Sequence, residues 1–228
     1  MKKLSIVIPV YNEQGMIEQV LETIEKVKIS GWSKEIIIVD DGSTDGTQTV
    51  LKKYLKKYIV IFQNQNQGKG AALRKGFEQV TGDVILIQDA DLEYTPDDYD
   101  NLLKPFNNAR VTVVYGSRFL GSHLSTMLLY TWGNKFVTLL TNIIYNSNIT
   151  DMETGYKLFR RDILPDLHLT SNRFDIEPEI TAKILKKRHQ IYEVPISYFG
   201  RKFEEGKKLT WKDGVGAVWT LLKYRFVS

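Results

Sequence analysis

Asp89, Asp91 and Glu93 fall within five residues of one another in "GDVILIQDADLEYTP", residues 82–96, just after the apolar run Val84 to Ile87. Like charges that close repel and raise one another's pKa unless a positive group sits among them. Asp-Ala-Asp sets two carboxylates on the same side of an extended segment. Hard oxygen ligands with so small a spacer suit Mg2+ or Mn2+, with diphosphate oxygens and water completing the shell. The competing reading is a solvated acidic turn ahead of a helix that starts near Thr95 and Pro96. A position at the end of a buried strand, where ligands bind in open parallel sheets, favours the metal.

Two other loops carry polar groups at strand ends. "PVYNE" follows the first apolar run and "DDGSTDGT" the second. The latter is full of turn formers, and turn residues at a strand end are often the binding site as well. "NQGKGAAL" offers Gly68 and Gly70 before a helix, but Leu73 stands where a dinucleotide fingerprint needs a third glycine or alanine. The phosphate-cradling G-x-x-x-x-G-K-[ST] pattern is missing too. Lys69 in this loop either reaches an anion or simply opens the helix.

Short apolar, β-branched runs alternate with helical spacing and must position these loops. Strands are predicted over Leu4–Val10, Glu35–Val39, Ile59–Phe62, Val84–Gln88 and Val111–Tyr115. Helices are predicted over Met16–Val27, Thr47–Tyr58, Lys69–Val80 and Pro96–Phe106. Such alternation implies an α/β class, a mostly parallel central sheet with helices on both faces. After Arg118 the pattern changes to a long helix from about Ser125 to Tyr145 and a short strand "YKLF". A helix over Glu177–Lys187, a strand "IYEVPI" and a last helix over Trp211–Phe226 follow. With no linker, repeat or low-complexity stretch, residues 1–228 read as one domain. Residues 1–118 form a nucleotide-type half and 119–228 an acceptor-type half.

Composition narrows the function classes. Without cysteine there is no disulfide framework, thiolate metal site or cysteine nucleophile, which fits a reducing, cytoplasmic compartment. A net charge of +4 permits an anionic ligand or membrane surface. Basic residues scattered among acids argue against nucleic acid. The apolar run in "MKKLSIVIPVYNE" is about six residues, too short for a signal peptide, and reads as a core strand. "MLLYTWGNKFVTLLTNIIY" is broken by Asn134 and Lys135, so it reads as an amphipathic or buried helix and not a membrane span.

The ordered set "SIVIPVYNE", "EIIIVDDGSTDGT", "NQGKGAALRKGF" and "GDVILIQDADLEYTP" resembles glycosyltransferase family 2, with its nucleotide-diphospho-sugar transferase (GT-A) fold. The later "VYGSRF", "DMETGYKLFRRDIL", "FDIEPEIT" and "YEVPISYFGRKFEEGKKLTWKDG" resemble the dolichol-phosphate mannose synthase and polyprenyl-phosphate glucosyltransferase branch. The resemblance implies a metal-dependent, inverting transfer of a hexose from a nucleotide-diphospho-sugar of the GDP-mannose or UDP-glucose type to a polyprenyl or dolichyl phosphate. It implies Asp91 and Glu93 as ligands of a cation on the donor diphosphate, with Asp89 beside the sugar and ribose and also counted in the metal set, next to Ala90. Pro9, Tyr11 and Glu13 would line the nucleoside pocket, and Asp40 and Asp41 would meet the base or ribose.

By the same resemblance Ser117 and Arg118 would take the acceptor phosphate, for which the arginine fork is suited. Arg201 and Lys207 would close over the diphosphate as a lid, with Lys202 and Lys208 as extra cations. Relatives carry an arginine before the "GN" of the long helix. Here "LLYTWGNK" has none, and Lys135 stands in for it. Asp151 is placed to be a general base, or, with an anionic acceptor, to orient Arg118. The Trp- and Leu-rich segments at 119–145 and 214–228 suit a membrane interface, or core and dimer packing. Peripheral placement on the cytoplasmic face of a membrane follows, with a homodimer or a membrane-anchored partner as candidate assemblies. The competing functions are transfer to a saccharide or protein hydroxyl and a non-catalytic sugar-nucleotide binding subunit.

Overall fold

The computed structural model describes residues 1–121, 128–200 and 211–227, with backbone alone at 128–130 and 211–213. Strands β1 (Lys2–Val10), β2 (Trp32–Asp40), β3 (Ile59–Phe62) and β4 (Val84–Ile87) alternate with helices α1 (Ile17–Lys26), α2 (Thr47–Lys52) and α3 (Lys69–Phe77). Then come α4 (Tyr99–Leu103), β5 (Val113–Ser117), α5 (Leu128–Tyr145), β6 (Lys157–Arg160), α6 (Leu164–Leu167), α7 (Ile176–Lys186), β7 (Ile191–Pro195) and α8 (Trp211–Phe226). One seven-stranded sheet has the order β3-β2-β1-β4-β6-β5-β7. It is parallel except at β6, which runs antiparallel to both β4 and β5.

The sheet is covered on both faces because its central strands are apolar on both. Along β1, Leu4, Ile6 and Ile8 face one cluster with Leu21 and Ile24 of α1 and Leu102 of α4. Val7 faces the other, with Leu73 and Phe77 of α3 and Ile180 of α7. A third cluster joins Val137 of α5, Ala182 of α7, and Ala217 and Leu221 of α8. The chain lays β2 and β3 on one side of β1, then places β4 on the other. The crevice beyond the C-terminal ends of β1 and β4 is therefore the switch point, where such sheets bind ligands.

The α/β class and mostly parallel sheet are as the sequence predicts, and three helices differ. The helix predicted over Thr47–Tyr58 stops at Lys52. Past Leu51 it has little apolar face to bury, since Leu55 is exposed and Lys52, Lys53, Lys56 and Lys57 crowd the same turns. The helix predicted over Pro96–Phe106 is one α-helical stretch between two 3-10 turns, because Pro105 has no N–H to continue the ladder. The short α6 in "LPDL" was not anticipated. The start of the long helix at Ser125 lies outside the described residues.

Candidate donor and acceptor site

Each acid of the "DAD-E" loop has a different partner. Asp89 Oδ1 is 2.6 Å from Lys69 Nζ, at the start of α3. Lys69 Nζ also lies 2.8 Å from Glu177 Oε1 on α7, and Glu177 Oε2 lies 2.7 Å from Lys157 Nζ on β6. Asp89, Lys69, Glu177 and Lys157 thus form a line of alternating charge under the crevice. Burial opposes the charge on Lys69, but Asp89 and Glu177 outweigh it and raise its pKa. Burial works against Glu177 too, and Lys157 and Lys69 hold it below the usual carboxylate range. A buried charge persists only when paired in this way. Lys69 therefore does more than open a helix: it is the cation beside the first acid of the loop.

Glu93 is tied to the segment that follows β7. Its Oε2 accepts a 2.8 Å hydrogen bond from the Tyr198 hydroxyl, and its backbone N–H donates to Asp91 Oδ1. The loop is stapled further by Phe199 N–H to Glu93 O and by the Tyr94–Tyr198 bridge. Among the described residues no three acidic or histidine side chains converge as a metal cage. Asp91 and Asp89 remain as hard oxygen donors at the switch point. That set fits Mg2+ or Mn2+, which take one or two carboxylates and complete their shell with substrate phosphate and water.

Asp151 and Arg118 form the second half of the site. Arg118 Nε and Nη2 donate to Asp151 Oδ2 and Oδ1, both at 2.7 Å, and the Arg118 backbone N–H donates to Oδ2 at 3.0 Å. Asp151 is fully buried, and Glu193 on β7 holds its segment through the N–H groups of Thr150 and Asp151. Of the two roles open to Asp151, this geometry is that of orienting Arg118. Both oxygens of Asp151 are taken by the guanidinium and backbone N–H of Arg118. Burial opposes the charge of Arg118, and Asp151 more than offsets it, raising its pKa well above the ordinary value. The guanidinium carbon sits 5.2 Å from the centre of the Tyr198 ring. No further side-chain acceptor meets the guanidinium among the described residues.

The other expected site residues have these places and partners. Ser117 is fully buried, its hydroxyl paired with Thr150 at 2.6 Å and accepting from Phe119 N–H, so it shapes the strand end and does not reach a phosphate. Asp41 accepts from Gln63 Nε2 and from the N–H groups of Gln67 and Gly68, tying the "NQG" loop to β2. Burial raises its pKa, those two backbone bonds oppose the rise, and neighbouring Asp40 adds to it. Asp40 Oδ1 accepts from Ser43 N–H and Gln48 Nε2. Pro9, Tyr11 and Glu13 are half-buried at the end of β1, and Ala90 is buried under the acid loop. Lys135 is exposed on α5, its Nζ 5.5 Å from the ring of Phe119, which brings it to the Arg118 side. Arg201, Lys202, Lys207 and Lys208 lie outside the described residues.

Sequence reasoning missed Lys157, Glu177, Tyr94 and Tyr198. A lysine inside the apolar "YKLF" strand was a usable signal, since a buried lysine demands an acid. Gly155 was another. A Cβ there would come within 2.6 Å of Asp89 Oδ2, so only glycine lets "METGY" pass the donor carboxylate.

The mostly parallel sheet with β6 reversed, and the acids at its switch point, place the chain in the GT-A class of nucleotide-diphospho-sugar transferase folds. Glucosyl-3-phosphoglycerate synthase from Mycobacterium tuberculosis, solved in complex with Mn2+, UDP and glucosyl-3-phosphoglycerate, superposes with a TM-score of 0.75. It is 20% identical, covering 100% of this chain and 81% of that one. The Glycosyl transferase family 2 profile matches residues 5–167, and the chain belongs to that family. A dolichyl-phosphate beta-glucosyltransferase of Saccharomyces cerevisiae is 34% identical, covering 86% of this chain and 66% of the yeast protein. A dolichol-phosphate mannosyltransferase of Pyrococcus furiosus is 28% identical, with 90% and 59% covered. The chain thus spans between 59% and 66% of the length of these curated relatives.

Proposed function

We propose that this chain transfers a hexose, with inversion, from a nucleoside-diphosphate sugar to a polyprenyl or dolichyl phosphate. The observation that carries the reading is the Arg118–Asp151 pair. Asp151 is spent on holding the arginine, which suits an acceptor that arrives as an anion and needs positioning more than a strong base. The named activities of the yeast and Pyrococcus relatives point the same way.

The donor nucleoside lies over Pro9, Tyr11 and Glu13 and the Asp40–Asp41 turn, and the diphosphate lies toward Asp91. Mg2+ or Mn2+ would be held by Asp91 with Asp89, and when bound it neutralises charge on the leaving diphosphate. Asp89 faces the sugar, with Ala90 beneath it and Lys69 setting its position. Arg201 and Lys207 supply lid cations over the diphosphate. The Nη1 edge of Arg118, with Lys135 beside Phe119, grips the acceptor phosphate. In-line attack opposite the leaving group inverts the anomeric centre.

The lipid reading is supported by two exposed stripes. On α5, Trp132, Phe136, Leu139 and Ile143 recur at helical spacing on the surface. On α8, Val215, Trp219, Leu222 and Phe226 do the same, with Lys223 and Arg225 alongside. Trp132 and Trp219 are 67% and 68% exposed, well beyond what folding alone requires. The two helices pack on each other through Val137 and Leu221 and through the Tyr145 hydroxyl to Leu221 O. Paired amphipathic helices with aromatic and basic residues suit a membrane interface, here the cytoplasmic face. No helix among the described residues is long and apolar enough to cross a membrane.

The test is transfer of radiolabelled sugar from GDP-mannose and UDP-glucose to polyprenyl phosphate, for wild type and Arg118→Ala. The expected result is labelled lipid with one donor and a loss of about thirtyfold or more in the variant, since losing a buried charge-assisted contact costs about 2–5 kcal/mol. Labelling of a hydroxyl acceptor and of no polyprenyl phosphate overturns the reading.

A further inference from the structure

Glu153 stands between the Arg118–Asp151 pair and the Lys157–Glu177 pair, and neither of them uses it. Its Oε1 is buried and meets no hydrogen-bond donor among the described residues. The charged groups around it are Lys157 on β6, Glu177 on α7, Arg118 at the end of β5 and Asp151 on its own loop. Burial is the largest influence and pushes its carboxyl up to about 7. Lys157 and Arg118 pull the other way, and Glu177 and Asp151 add to the rise. A buried carboxylate oxygen without a donor is costly. The segment that carries it begins at the arginine's clamp, Asp151, and reaches the donor carboxylate at Gly155, beside Asp89. Glu153 therefore lies in the chain midway between the arginine's clamp and the glycine that passes Asp89.

We propose that Glu153 takes the proton of the acceptor phosphate. The acceptor's P–O–H bond breaks and the proton passes to the Glu153 carboxylate. The phosphate becomes a dianion, its oxygen bonds to the anomeric carbon, and the bond from that carbon to the diphosphate oxygen breaks, the leaving group keeping the electron pair. The carboxyl O–H so formed donates to a non-attacking phosphate oxygen. This rests on the phosphate-acceptor reading above. The acid strengths match, because a phosphate monoester loses its second proton near pH ~6, close to this carboxyl and far from a sugar hydroxyl. An ordinary glutamate, near ~4.3, would receive that proton only uphill.

The experiment is the pH profile of kcat/KM for a short-chain polyprenyl phosphate, with the donor that wild type uses and with Mn2+, for wild type, Glu153→Gln and Glu153→Asp. In wild type the productive complex shares one proton between phosphate and carboxyl. Its profile peaks near pH ~6.5 and falls about tenfold or more by pH ~8.5. Glutamine cannot accept the proton, so Glu153→Gln uses only the preformed dianion and rises to a plateau without the alkaline fall. Its acceptor KM stays within about threefold of wild type, because the amide still donates one hydrogen bond. Glu153→Asp keeps the bell shape at a lower peak, which shows that the carboxyl and not the fold is being read. An alkaline fall in both wild type and Glu153→Gln, or a plateau in both, overturns the role of Glu153 and leaves the phosphate acceptor standing. If wild type labels a hydroxyl acceptor and no polyprenyl phosphate, the acceptor reading falls and this proposal with it.

Discussion

Asp151→Asn replaces one oxygen of a fully buried carboxylate by an amide and removes its charge. Three donors of Arg118 now point at that group, at 2.7, 2.7 and 3.0 Å. In the variant one oxygen can still accept, while the amide N–H2 faces the guanidinium with nothing to accept its hydrogens. The arginine keeps its charge in a buried place without a counter-ion, and breaking such a pair costs about 3–5 kcal/mol. In a chain of this size each kcal/mol moves the melting point by roughly 2–4 °C, so Tm should fall by about 10 °C. Urea denaturation followed by circular dichroism gives the free energy, and transfer to polyprenyl phosphate gives the rate. Transfer should drop at least tenfold and keep a bell-shaped pH profile, with the alkaline limb moved to lower pH because the Asp151 charge no longer helps raise the Glu153 carboxyl. A companion double variant, Arg118→Met with Asp151→Leu, should recover most of the stability and none of the activity, since an apolar pair can replace a buried ion pair in the fold but not at a phosphate. Stability within about 0.5 kcal/mol of wild type for Asp151→Asn, the level of an ordinary surface change, would refute the clamp. A profile that loses its bell shape in Asp151→Asn would restore the base.

Lys69→Met should leave Asp89 and Glu177 without the cation between them, lowering stability and transfer while tightening Mn2+ binding without donor, which electron paramagnetic resonance titration reads; unchanged or weaker Mn2+ binding would show that Lys69 does not compete with the metal for Asp89. Glu153→Gln should stabilise the protein at pH 8 by up to about 3 kcal/mol and leave it unchanged at pH 4, as each pKa unit is worth about 1.36 kcal/mol. The sign follows from a folded pKa near 7 raised above the ordinary 4.5. Below both values the two states bind the same proton, between them only the unfolded chain ionises and stability falls, and above 7 the full penalty stands. Equal denaturation midpoints for the two proteins at pH 8 would contradict it. Trp132→Asp with Trp219→Asp should cut sedimentation with anionic vesicles about tenfold or more, while transfer to a short-chain acceptor in detergent stays within about twofold, and undiminished vesicle binding would move the membrane contact elsewhere.

The α/β alternation was legible in the sequence because buried parallel strands read as short apolar, β-branched runs such as "EIIIVD", whatever their neighbours. The switch-point loops were legible for the same reason. Once Val84–Ile87 is a strand, Asp89 and Asp91 must stand at its open end. Side-chain partnership was not legible, because it joins residues far apart in the chain. Asp89 meets Lys69 and, through it, Glu177, and Arg118 meets Asp151 across 33 positions. Glu93 turned to Tyr198, and Ser117 and Asp41 turned inward, because buried polar groups take the nearest available partner and only the folded chain sets which is near. The sequence alone determined which acids and arginines stand at the crevice. The tertiary structure decided which of them are already spoken for, and among the described residues left Glu153 Oε1 without a donor between the two pairs.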